Sequence, residues 1–327
     1  MPSWGEILNE AQGERRNPNT GAIDFDGLRL KYLDRLVQLT GRSTVVYAAD
    51  WLSGVNPASA STVSINLLDK QALMEVFKDL AGPNLDLILH SPGGQAEATD
   101  ALVSYMRSKY DDVRVIVPLA AMSAATMWAL AADRVVMGKH SQLGPIDPQV
   151  PVAGQLVPAG ALLRQFKQVS DECGKDPSRL SAWLPTLQQY WPGLLEICQT
   201  ADDLARSLVE EWLRSYMFRA IAEPERSARA RSVADYFADS TRHKSHGRPI
   251  DRDDVRNVGV VVENLEDNQE LQDAVLSVHH ATLITLQGLP PVVKIIENNL
   301  GRKMVQQVGA VQMVPQQLPS GLQGHNS

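Results

Sequence analysis

Two short turns carry the residue types that do acyl chemistry: Ser91-Pro92-Gly93-Gly94 and Ala121-Met122-Ser123-Ala124-Ala125-Thr126. Glycines directly after an apolar run let the backbone take positive φ and come close to a ligand, so that an amide N–H faces a developing oxyanion. A serine where a strand gives way to a helix sits at the positive end of the helix dipole beside unpaired amides, a place suited to a nucleophile. Each turn alone has a plainer reading, glycine for turn geometry and Ser123 as a helix N-cap. Together they describe acyl transfer through an acyl-enzyme, with Ser123 attacking a carbonyl whose oxygen is held by an amide near Gly94 and that of Ala124.

The elements around these turns place them side by side. Leu85 to His90 reads as a buried strand, about Glu97 to Lys109 as a helix, Val113 to Val117 as a strand, the Ser123 segment as a second helix and Arg134 to Met137 as a third strand. That alternation implies right-handed crossovers and a parallel sheet, with both turns at the carboxyl ends of neighbouring strands, where α/β sheets place their sites. Upstream, Leu28, Leu30, Leu33 and Leu36 have helical spacing, Val45 to Tyr47 reads as a strand, 56–64 as a loop, and Asp69 to Leu80 as an amphipathic helix. Downstream, helices are expected from Thr200 to about Phe218, from Gln269 to Leu286 and from Pro291 to Val308, with a polar stretch from Glu223 to Asp254 between them.

Composition bounds the function. The 327 residues carry a net charge of −7, with 31 Lys and Arg against 38 Asp and Glu, so a nucleic acid is not the expected partner. Two cysteines, Cys173 and Cys198, supply neither a disulfide framework nor a zinc motif, and no metal and no cofactor is expected. The first 20 residues lack the apolar core of a secretory signal. The apolar run Val115 to Ala132 is better explained as strand, turn and helix than as a membrane span, because Pro118 interrupts it and Asp133-Arg134 ends it before a further apolar burst. A cytoplasmic protein without a stable membrane span is the expectation.

The stretch LDLILHSPGGQAEATDALVSYMRSKY, followed by VRVIVPLAAMSAATMWALAADRVVMGKHSQLGPIDPQ, resembles the serine dehydrogenase proteinase family of the Clp protease and crotonase superfamily, to which signal peptide peptidase A is similar. The resemblance is strongest over about 85–150 and extends weakly to SHGRPI, LQDAVLSVHHA and KIIENNLGR. It implies an α/β fold with a Clp protease/crotonase-like parallel sheet core, flanking helices and a helical C-terminal region. The corresponding organisation is an N-terminal helical segment over 1–40, a peptidase domain over 41–265 with a helical insertion at about 155–235, C-terminal helices over 266–310 and a disordered tail over 311–327. The implied activity is that of a serine peptidase on peptide or protein substrates, with Ser123 as nucleophile, Gly93, Gly94 and Ala124 at the oxyanion hole, and self-association into a homo-oligomer. The chain has no GxGxxG after a strand, which removes a dehydrogenase reading, and no Walker A sequence of its own.

The general base is left open. Where Clp peptidases carry a histidine downstream of the serine, this chain reads Gly144-Pro145-Ile146-Asp147-Pro148. Resemblance to signal peptide peptidase A implies a Ser/Lys pair, for which Lys139, Lys167 and Lys175 are the downstream lysines, and such a lysine needs burial to lose its proton. The alternative is His246 in the SHGRPI segment, with Asp147 orienting the base or bracing its own turn. His140 and the His279-His280 pair read as exposed or packing residues. A non-catalytic scaffold and an acyl-CoA enzyme that uses the two amides without a covalent serine are the competing functions.

Overall fold

A computed structural model describes residues 2–13, 21–53, 60–289, 292–308 and 310–314. Its centre is an eight-stranded sheet. Strands β1 (Ser43–Ala49), β2 (Asn84–His90) and β3 (Asp112–Val117) have side chains buried on both faces, which is why they read as nearly continuous apolar runs. Outside the main sheet, β4 (Ala120–Ala121) follows directly on β3; β5 (Arg134–Met137) returns to the main sheet. The short β6 (Gln142–Leu143), the hairpin β7 (Gln149–Val152) and β8 (Gln155–Pro158), and the short β9 (Ile250–Asp251) also lie outside it. Strand β10 (Val262–Asn264) closes one edge; β11 (Val292–Asn298), β12 (Lys303–Gln307) and β13 (Ala310–Val314) extend the other. The order is β10-β5-β3-β2-β1-β11-β12-β13, parallel from β10 to β1 and antiparallel from β1 to β13.

Helices cover both faces. They are α1 (Trp4–Gly13), α2 (Phe25–Thr40), α3 (Ala60–Val63), α4 (Asp69–Val76), α5 (Ala96–Arg107), α6 (Ala124–Leu130) and α7 (Ala159–Lys175). After them come α8 (Leu180–Leu187), α9 (Leu194–Ser215), α10 (Glu225–Ala238), α11 (Ser240–His243), α12 (Arg252–Asn257) and α13 (Gln269–Gly288). Alternate strand residues divide the core: Val45, Leu87 and Val115 pack with α4, α5, α6, α9 and α10, whereas Val46, Ile88 and Ile116 pack with α1, α2 and α13. Three layers result, each helix burying the stripe its spacing provides.

The structure departs from the expected elements in five places. The C-terminal region over 266–310 is not wholly helical: after α13, Val292 to Gln307 forms a β hairpin instead of the expected helix over Pro291 to Val308. Val292, Val293, Ile295 and Ile296 favour a strand, and Asn298 to Gly301, with Gly301 at φ +79°, makes the turn. The polar stretch from Glu223 contains α10, whose buried Ala230, Val233, Ala234, Phe237 and Ala238 keep helical spacing among charged neighbours. Helix α9 starts at Leu194, so Thr200 lies inside it rather than capping it; Gly193, at φ +86°, is the residue before its first turn. Residues 311–314 of the expected disordered tail pair in β13, and the rest of that tail lies outside the described residues. Most of the expected loop over 56–64 lies outside them too, and its end is the single helical turn α3.

Candidate active site

The turn after β2 and the turn after β3 are laced together by backbone. Ser91 N–H donates to Ala120 O at 3.2 Å, and Met122 N–H donates to Ser91 O at 3.0 Å. Ser123 follows at φ 53°, ψ −122°, a conformation that a non-glycine residue holds only when its surroundings impose it and that resembles the strained elbow of serine hydrolases. Gly93 is what allows the approach: a Cβ there would stand 2.6 Å from Met122 O and 2.7 Å from Ser123 Cβ, and its φ is +100°.

The three expected oxyanion positions separate. Gly93 N–H already donates to Ser91 Oγ at 3.2 Å. Among the described residues, the amides of Gly94 and Ala124 have no acceptor. That of Ala124 begins α6 and so has no carbonyl four residues back within its helix. Gly94 is held against the segment between α3 and α4: Ile65 N–H donates to Gly93 O at 2.7 Å and Gln95 N–H to Ile65 O at 3.0 Å.

Ser123, Gly93, Gly94, Ala124 and His246 line one cavity of about 450 Å³. Its lining is apolar at Met127, Ile146, Leu156, Leu204 and Ala205, and polar at Gln95, Glu97 and Gln149. His246 is half-buried and its Nδ1 lies 2.8 Å from Asp147 Oδ1, while Asp147 is buried and its Oδ2 accepts from Gln149 Nε2 at 2.9 Å. Strand pairing brings these two together across 99 residues, because β6 runs antiparallel to β9 with Leu143 opposite Ile250. Ile146 N–H, bonded to Phe237 O at 2.9 Å, pins the Asp147 loop to α10. With Nδ1 donating to the carboxylate, the imidazole is left in the tautomer whose Nε2 accepts a proton.

Lys167 does not join this group. It is exposed on α7 and paired with Asp171 at 3.2 Å, without the burial that lets a lysine act as a base at neutral pH. Lys139 and Lys175 are exposed as well. The buried lysines, Lys294 and Lys303, are ion-paired with Asp69 and Asp26. His140 is exposed, whereas His279 is buried on α13 with its ring 5.1 Å from that of His90. Ile65 and Gln149 support the site yet escape local sequence reading. Gln149 lies within the GPIDPQ run, but Ile65 has no motif and is found only through its backbone pairing with Gly94.

Among the described residues no helix is long and apolar enough to cross a membrane, and no group of His, Cys, Asp or Glu has the arrangement of a metal site. Residues 71–179 match the family described as ClpP-like SDH-type serine proteinases. Two uncharacterized proteins of Methanocaldococcus jannaschii are similar, one 33% identical over 121 residues and the other 40% identical over 92 residues. Those matches cover 36% and 27% of this chain, and only 40% and 30% of the relatives. A solved structure of the 1510-N membrane-bound stomatin-specific protease, in a mutant form, aligns over 34% of this chain and 60% of its own with 18% identity and a TM-score of 0.25. The α/β architecture is that of the ClpP-like fold, and over residues 71–179 this chain is similar to the ClpP-like SDH-type serine proteinase family.

Proposed function

We propose that the protein is a serine peptidase in which Ser123 is the nucleophile, His246 the general base, Asp147 the residue that orients it, and the amides of Gly94 and Ala124 the oxyanion hole. The observation that carries this is the 2.8 Å contact of His246 Nδ1 with buried Asp147, on a cavity that Ser123 and both amides also line. In the forward step the Ser123 hydroxyl adds to the scissile carbonyl as its proton passes to His246 Nε2, and the two amides take up the charge on the carbonyl oxygen. Collapse expels the amine, which takes the proton back from His246, and leaves Ser123 acylated. Water, deprotonated by the same nitrogen, releases the acid and restores the serine.

The His246–Asp147 pair supports this over an acyl-CoA enzyme or a scaffold, neither of which needs an oriented base on the same cavity as a strained serine. The apolar cavity wall favours peptide substrates with an apolar side chain next to the cleaved bond. Self-association is part of the proposal, supported by exposed Phe166, Leu180, Leu184, Trp191 and Ile197 in and around α7 to α9. A fluorophosphonate probe tests the assignment: a single adduct on Ser123 is expected in the wild type and none in folded Ser123→Ala. Equal labelling of the two proteins would remove Ser123 from the chemistry.

A further inference from the structure

Lys294 and Asp69 are both buried, and their ion pair lies behind the oxyanion turn rather than in the cavity. The Lys294 ammonium donates to Asp69 Oδ1 and Oδ2 at 3.0 Å each and to the Ser64 carbonyl at 2.8 Å. Asp69 also accepts from Tyr47 OH at 2.7 Å, from Asn66 N–H at 3.0 Å and from Gln306 Nε2 at 3.3 Å. The residue between the two anchored positions Ser64 and Asn66 is Ile65, whose N–H binds Gly93 O. The Gly93 carbonyl and the Gly94 N–H belong to one planar trans peptide and point in opposite directions. Fixing that carbonyl on Ile65 therefore fixes the direction of the Gly94 N–H. A Cβ on Gly94 would stand 2.2 Å from Ile65 O, so the clamp and the turn are in direct contact.

We infer that Lys294 is a positioning residue for the oxyanion hole: through Asp69 and Ser64 it holds Ile65, and Ile65 holds the Gly93–Gly94 peptide in the orientation that presents the Gly94 amide. The assignment rests on the serine-hydrolase reading of the cavity. A salt bridge whose only task was stability would be replaceable by apolar packing with the site intact; this one also spends donors on the backbone that sets the turn.

The experiment compares wild type, Lys294→Met and the double variant Lys294→Met/Asp69→Asn, in which no unpaired charge is left buried should the single variant not fold. The readout is inactivation by a fluorophosphonate, whose phosphoryl oxygen occupies the oxyanion hole, with the maximal inactivation rate separated from the probe's half-saturating concentration. In whichever variant is folded by circular dichroism, the maximal rate is expected to fall about 10- to 100-fold, less than the loss for outright removal of an oxyanion donor, while half-saturation stays within about twofold. An unchanged maximal rate in a folded variant would overturn the positioning role. Loss of Ser123-specific labelling in the wild type would instead overturn the hydrolase reading on which it rests.

Discussion

Asp147 makes two contacts that predict different things when it is changed. One oxygen faces His246 and the other holds Gln149, so in the proposed mechanism the residue orients the base while it also braces its own loop. Asp147→Asn keeps the volume and the contact to Gln149 but lets the amide present its NH2 to Nδ1, which favours the tautomer with the proton on Nε2. By analogy with serine proteases, kcat is expected to fall about 10³- to 10⁴-fold with the thermal midpoint little changed. A loss under about tenfold in a steady-state assay would leave Asp147 as a brace only. Ser123, Gly94 and Ala124 were legible locally because a strained serine and close-packed glycines need particular neighbours in sequence. The Asp147–His246 pair was legible only as two separate candidates, since β6 and β9 bring them together and no spacing rule links residues 99 apart.

At the scale of elements, α6 ties the two halves of the site. Thr126, fully buried in it, donates to Ala121 O at 2.8 Å and accepts from Gly144 N–H at 2.9 Å, linking the turn that carries Ser123 to the loop that carries Asp147. Thr126→Val keeps the shape but leaves the Gly144 amide unpaired, at a cost of about 1–3 kcal/mol. Chemical denaturation should show that loss, and labelling of Ser123 should slow, because the loop is then free to shift; unchanged stability would mean that the amide has found another acceptor. The β2 to β5 unit was readable because short apolar runs alternate with helical spacing. The hairpin of β11 and β12 was not, because a strand buried on both faces and a buried helix show the same apolar density, and only the β-branched residues and the Asn298–Gly301 turn separate them. The interior face of α10 was likewise hidden by the charges on its outer face.

For the molecule as a whole, the interior histidines predict sensitivity to acid. Burial lowers the His90 pKa to about 4, moves that of His279 well below the ordinary value and lowers that of His280, with neighbouring histidines adding to the effect on His279. The folded protein keeps these rings neutral while the unfolded chain protonates them, starting near pH 6.5. Stability is therefore full above that pH and falls as the pH drops toward 4, each ring contributing at most about 1.4 kcal/mol per pH unit over its own window. Urea midpoints measured from pH 7 to 4.5 should show the decline, and His279→Leu should flatten it; an identical slope in that variant would place the acid lability elsewhere.

The contact between Lys294 and Ser64 spans 230 residues, and β1 is paired on one side with β11. During synthesis the serine turn, both glycines and the base emerge from the ribosome before the strand that carries Lys294. At 5–20 residues per second, the interval between His246 and Lys294 is roughly 2–10 s. Through that time a growing chain holds every residue of the proposed mechanism without the proposed clamp on the oxyanion turn, so the proposed hydrolase would stay quiet beside the nascent chains around it until its own sheet is closed.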